Sequence, residues 1–183
     1  MPPLKWRGCS QRLAIPVTAD LPEPGERWAG RHRARAAALQ ALYECEIGGL
    51  TPQQALGVLH HAGPPEVADP GEDEHAFVIA LVRGAMEQRD ALDERIGDAA
   101  KNWRVERMAI LDRLVMRLAL QELLSHRDSP PRVVISEAIE LARAYSGEDA
   151  AKFVNGVLDG AYRRLKEEGI VADDPEGRKS NEQ

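Results

Sequence analysis

From Arg31 to about residue 168, apolar side chains recur three and four positions apart, a spacing that lines one face of an α-helix and leaves nothing for a half-buried strand. The spacing predicts a first helix over roughly 33–47, with Leu39, Leu42, Tyr43 and Ile47 inward and Gly48-Gly49 as its stop. Thr51-Pro52 reads as an N-cap followed by proline at the first helical position, opening a short helix through Leu56 and Leu59. Gly63, Pro64, Pro65, Pro70 and Gly71 make residues 62–72 an expected mobile acidic loop. A third, long helix is expected over 73–98, and a fourth over 105–126 with Ile110, Leu111, Leu114, Val115 and Leu118 inward. Ser129 reads as the cap of a fifth helix that begins at Pro130 or Pro131 and carries the stripe Ile135, Ala138, Leu141, Ala142 and Tyr145. Ser146-Gly-Glu-Asp149 reads as a break with a capping box ahead of a last helix over 148–168. Val133-Val134-Ile135 is the only β-branched run, and Glu137 and Glu140 follow it too soon for a sheet. The expectation is an all-α bundle of six or seven helices.

The ends differ from this middle. Pro2, Pro3, Pro16, Pro22 and Pro24 interrupt every helix that residues 1–30 could start. That segment is expected to be a disordered extension, or in part sequence upstream of the true start. Residues 31–168 form the expected helical domain, and 169–183 a frayed polar tail.

Several function classes fall away on composition. The longest obvious apolar run, Val78 to Val82, is far too short for a membrane span, and no secretory leader is visible. Two cysteines, Cys9 and Cys45, rule out a disulfide scaffold and suit a reducing compartment, so the expected location is the cytoplasm. No phosphate-cradling glycine loop and no nucleophile elbow occurs. Of the histidines His32, His60, His61, His75 and His126, none forms a chelating pair; His60 and His61 are adjacent and point about 100° apart on a helix. The sequence therefore predicts neither an enzyme nor a metal or cofactor site.

A net charge of −6 argues against wholesale coating of nucleic acid, but a local basic patch is present. Arg27, Arg31, Arg33 and Arg35 lie close together, with no acid from Arg27 to Leu42. Cations at a helix start oppose the helix dipole, so the cluster carries a small electrostatic cost. A solubilising arm and a phosphate-contacting patch both fit this composition.

The last helix is more specific. On a wheel of 100° per residue, Ala150, Val157, Leu158, Ala161 and Leu165 fall within about 60° of Val154, and Phe153 sits at the border of that stripe. Beyond Phe153 lie Asp149, Gly156 and Gly160, with Lys152 nearby. Each mid-helix glycine costs about 1 kcal/mol relative to alanine and leaves a shallow track beside the ring. Phe153 either packs under a neighbouring helix or offers a face on which a nucleobase stacks.

These segments resemble a known family. Arg31-His-Arg-Ala-Arg35, then Ala-Leu-Gln-Ala-Leu-Tyr43, is similar to the opening of the bacterial NusB family of transcription antitermination factors. The stretch Val133 to Asp159 resembles that family's most specific segment, and Trp103, Arg107, Asp112 and Arg117-Leu-Ala-Leu-Gln-Glu-Leu123 fit its middle. Ser136 stands where the family commonly has asparagine. The resemblance implies a helical domain that binds the boxA element of nascent ribosomal RNA transcripts. It further implies action together with NusE, a small-subunit ribosomal protein, in the antitermination complex on RNA polymerase. Carried over by position, it implies RNA contacts at Arg31, Arg33, Arg35, Asp149, Lys152 and Phe153, and partner-protein contacts at Tyr43 and Asp112. Two other tasks suit the same helices: the RNA-binding portion of a ribosomal RNA cytosine methyltransferase, and a helical dimerisation scaffold without an RNA role. Monomer and homodimer both remain open.

Overall fold

Small residues place the first helix at the centre of the bundle. The structure, a computed structural model, describes residues 26–62, 72–100, 103–125 and 129–171. The expectations for residues 1–25, 63–71 and 172–183 lie outside these. Helix α1 (Glu26–Gly48) buries Ala34, Ala36, Ala37, Ala38 and Ala41 beside Leu39 and Leu42. Alanine combines the best helix propensity with a minimal side chain, so neighbouring helices approach α1 closely on several sides. Helices α2 (Pro52–Ala62), α3 (Glu72–Glu87) and α5 (Ile110–Ser125) pack against it.

Helix α5 is the second central element, with every residue from Leu114 to Leu123 buried. It touches α1, α3, α4 (Arg89–Ala99), α6 (Pro131–Ser146) and α7 (Glu148–Glu167). A helix enclosed this way must pair most of its polar groups: Arg117 and Glu122 are held in ion pairs, and Gln121 donates through Nε2 to Ser125. Gly84 permits the close approach of α3: a Cβ there would lie 2.1 Å from Nε2 of Gln121. Among the described residues there are seven α-helices and one 3₁₀ turn (Val105–Arg107), and no strand.

Several element ends differ from the sequence expectation. The long third helix is two helices, α3 and α4, meeting at Gln88; the Gln88 N–H still donates to the Gly84 carbonyl and the Leu92 N–H to Gln88, so the joint is a bend within a continuous ladder. The fourth starts at Ile110 rather than near 105, because the 3₁₀ turn and the extended backbone of Met108 intervene. Ile110 and Ile47, expected inward, are 37% and 46% exposed. Ser129 is not a cap: α6 is capped by Pro130 without a side-chain bond. The Ser146–Asp149 capping box does not form either. Gly147 closes α6 and opens α7 at φ +92°, ψ −178°, with its N–H on Arg143 and its carbonyl accepting from Ala151. The reciprocal capping box sits instead at Thr51, whose Oγ1 accepts from the Gln54 N–H at 3.3 Å while its own N–H donates to Gln54 Oε1 at 2.9 Å.

The described fold continues past the end of α7. Gly169, at φ +71°, donates to the Lys166 carbonyl, and Ile170 to Leu165, a Schellman closure that folds Ile170 and Val171 back onto the core. In α7 the buried stripe is Ala151, Val154, Val157, Leu158, Ala161 and Leu165, so Ala151 takes the place expected of Ala150.

Candidate nucleic-acid interface

The arginines at the start of α1 share a sequence neighbourhood and have three different fates. Arg33 is exposed. Arg31 is half-buried, its guanidinium 4.3 Å above the ring of Phe77 on α3, a cation–π contact. Arg35, expected at the same basic patch, is 3% exposed and turned onto two carboxylates of the bundle. Its Nε and Nη2 donate to the two Glu122 oxygens at 2.8 and 2.6 Å, and Nη1 donates to Glu137 at 3.2 Å. Burial alone would lower the Arg35 pKa; the bonds to Glu122 and Glu137 outweigh it and raise it further. His32, also expected near the basic patch, is buried and bonds through Nδ1 to Glu137 at 2.8 Å. Glu137 is held below the ordinary carboxylate range: burial pushes it up, but His32 and Arg35 together pull it down.

At the start of α7, Lys152 and Asp149 are exposed and only loosely paired, at 3.5 Å. Phe153 is half-buried against the core, so its position at the border of the apolar stripe is what the wheel describes. Gly156 faces open space, whereas Gly160 lets α7 lie against Ala99 of α4. Sequence reasoning missed one neighbour as a site residue: Trp103, ahead of the 3₁₀ turn, packs edge-to-face on Phe153 with ring centroids 5.8 Å apart. Trp103 is 59% exposed. The low aromatic content was the available signal, since each exposed ring in such a chain stands out.

The two groups are joined through α6. His32 and Arg35 tie α1 to Glu137 on α6, and α6 packs along α7. Arg143, near the end of α6, donates to Glu140 and at 2.7 Å to Glu148 on α7, bracing the glycine joint.

The residues matched to partner contacts lie on α1 and α5. Tyr43 is half-buried on α1. Asp112 lies in the first turn of α5, 8% exposed, with its Oδ1 lacking a hydrogen-bond partner among the described residues. It is therefore deeper than a surface contact would be. Around it runs an ion-pair network: Glu46 accepts from Arg113 at 2.7 Å and from Arg117 at 3.3 Å, and Arg117 donates twice to Asp93 at 2.6 Å. Ile47 follows Glu46, and Ile110 precedes Arg113 by one turn, so the network is flanked by two exposed apolar side chains.

No described helix is long and apolar enough to cross a membrane, and the described residues hold no group of three or more His, Cys, Asp or Glu side chains placed for a metal ion.

Comparison with known proteins agrees with this arrangement. The sequence pattern of the NusB family matches residues 32–163. The transcription antitermination protein NusB of Symbiobacterium thermophilum is 40% identical over 139 residues, covering 74% of this chain and 91% of that protein. The structure of NusB from T. maritima superposes with a TM-score of 0.64 at 34% identity, over 73% of this chain and 90% of that one. A chain from the crystal structure of antitermination factors NusB and NusE in complex with dsRNA superposes with a TM-score of 0.65 at 27% identity, over 74% of this chain and 97% of that one.

Proposed function

The chain belongs to the NusB family, and on that premise we propose that it is a transcription antitermination factor of the cytoplasm. It binds single-stranded boxA RNA of nascent ribosomal transcripts together with a NusE ribosomal protein, in the antitermination complex on RNA polymerase. Its role is binding, without a catalytic step. The observation that carries this reading is Phe153, a half-buried aromatic ring beside the exposed Lys152 and the open surface at Gly156. A half-buried ring braced by the core and by Trp103 offers its accessible part to a base at little entropic cost.

The interface residues take distinct roles. Arg33, with Arg31, supplies phosphate contacts to the strand. Lys152 adds a third cation, and Asp149 accepts hydrogen bonds from base amino groups, since a carboxylate repels phosphate. Arg35 holds α1 in register from inside. Tyr43, with Ile47 and Ile110 beside it, forms the partner-protein surface, and Asp112 lies beneath as an acceptor. The net charge of −6 weakens binding by this chain alone, so the partner completes the site.

The test is RNA affinity with and without the NusE protein, against boxA RNA and a scrambled strand. The expected result is preferential boxA binding that tightens with the partner. Phe153→Ala should cost roughly 1–3 kcal/mol of RNA affinity. Equal affinity for both strands, with Phe153→Ala neutral, would overturn the reading.

A further inference from the structure

Two of the chain's eight aromatic residues, three Trp, three Tyr and two Phe in all, meet at one place: Trp103 against Phe153. Their planes are 64° apart. In an edge-to-face pair at least one face of the indole stays clear of its partner ring. Trp103 is 59% exposed, and single exposed hydrophobic residues are ordinary, so exposure alone decides nothing. The surroundings decide more. Trp103 lines an open cleft of about 560 Å³ with Gly97, Arg104, Val105, Glu106 and Arg107. Both arginine side chains are exposed and make no ion pair among the described residues. Glu106 is the one acid in this lining, so the cleft keeps a net positive charge. On its other side the indole adjoins Phe153, and Lys152 on the same turn of α7 is exposed as well.

We propose that Trp103 provides a second stacking position for an unpaired RNA base, next to the one at Phe153, with Arg104 and Arg107 meeting the phosphates that flank it. The inference rests on the RNA-binding reading and extends it to a part of the chain outside α1 and α7. Aromatic rings with sequence-tolerant π-faces, interleaved with arginines, are what a single strand recognises. The edge-to-face packing holds the two rings at an angle, so successive bases must be splayed apart to use both. That favours an unstacked strand over a duplex.

The experiment uses the full chain with its NusE partner and a short boxA RNA. Trp103→Ala should lower RNA affinity by about fivefold or more, and Trp103→Phe should bind nearly as the parent. Trp103→Leu keeps an apolar cover over Phe153 but has no π-face, and should be as weak as alanine. In a chain carrying Trp6→Phe and Trp28→Phe, Trp103 emission should be quenched on RNA addition. Melting curves should show every variant folded, since the side chain is largely outside the core. Full affinity in Trp103→Leu would show that the indole only props Phe153, and would overturn the proposal. So would unchanged emission. If Trp103→Ala instead weakens NusE binding without RNA, the cleft is a protein contact and the proposal fails. Should Phe153→Ala weaken RNA binding while Trp103→Ala does not, the second position alone is refuted. Should the parent chain with its partner bind no RNA, the underlying reading falls as well.

Discussion

Arg35 and Glu122 lie 87 residues apart in the chain and form a two-pronged ion pair in the middle of the bundle, with donor–acceptor distances of 2.8 and 2.6 Å. Their side chains are 3% and 1% exposed. Two charges removed from water are tolerated only because each satisfies the other, and removing one strands the other. Arg35→Gln should therefore destabilise the fold by about 3–5 kcal/mol. The double variant Arg35→Leu/Glu122→Leu should recover most of that stability, short of the share held by Glu137. Denaturant unfolding of the parent and both variants checks this; a double variant no more stable than Arg35→Gln would show that the pair is not coupled.

Acid should weaken the same cluster. Glu137 is bonded to His32 and Arg35 and is held below the ordinary glutamate value of 4.5. A depressed carboxylate contributes stability that is fully present above its unfolded pKa and is lost as pH falls through the folded one. Unfolding free energy should therefore fall as pH drops below about 4.5, and Glu137→Gln should flatten that part of the curve. Parallel pH curves for variant and parent would contradict the assignment.

Two glycines of the α6–α7 region should respond in opposite directions. Gly147 adopts φ +92°, ψ −178°, a region essentially restricted to glycine, so Gly147→Ala should cost about 1–3 kcal/mol. Gly156 is helical, and a methyl group added there would meet nothing within 4 Å, so Gly156→Ala should stabilise by up to about 1 kcal/mol. Thermal melts of both variants are the measurement, and equal shifts would contradict the backbone argument.

Salt dependence should separate the three arginines. Removing one phosphate-binding cation from a single-strand complex lowers the magnitude of the log K against log salt slope by about 0.7. Arg33→Gln should show such a decrease, and Arg31→Gln/Arg33→Gln about twice it. The folded fraction of Arg35→Gln should keep the parent slope, because that guanidinium is enclosed.

On the partner side, Ile110→Glu should leave the melting temperature unchanged and weaken NusE binding by about 1–2 kcal/mol, since it places a charge on an exposed apolar rim. Tyr43→Ala should act in the same direction. Asp112→Lys should instead destabilise the fold, because the side chain is only 8% exposed. Titration of the partner, with melts of each variant, distinguishes surface from support.

Helix number and the core stripes were legible in the amino-acid sequence, because helical periodicity is local: residues three and four apart fix it among themselves. Leu39, Leu42, Leu114, Leu118, Leu141, Val154 and Leu165 are all buried, as their spacing requires. The border position of Phe153 followed from the same geometry. Which arginine faces solvent was not legible. No acid lies near Arg35 in the chain, and its partners Glu122 and Glu137 arrive from helices formed 87 and 102 residues later. The Trp103–Phe153 contact likewise exists only once α7 has packed on α4, against which the 3₁₀ turn also lies. Helix ends fell between these cases. Thr51 caps with a partner three residues on, whereas the Ser146 pattern gave way to Gly147, because the turn from α6 into α7 must seat two apolar stripes on the same core. Local spacing decides what a segment becomes; pairing across distant segments, which only the closed bundle creates, decides which of its charges and rings are left to meet another molecule.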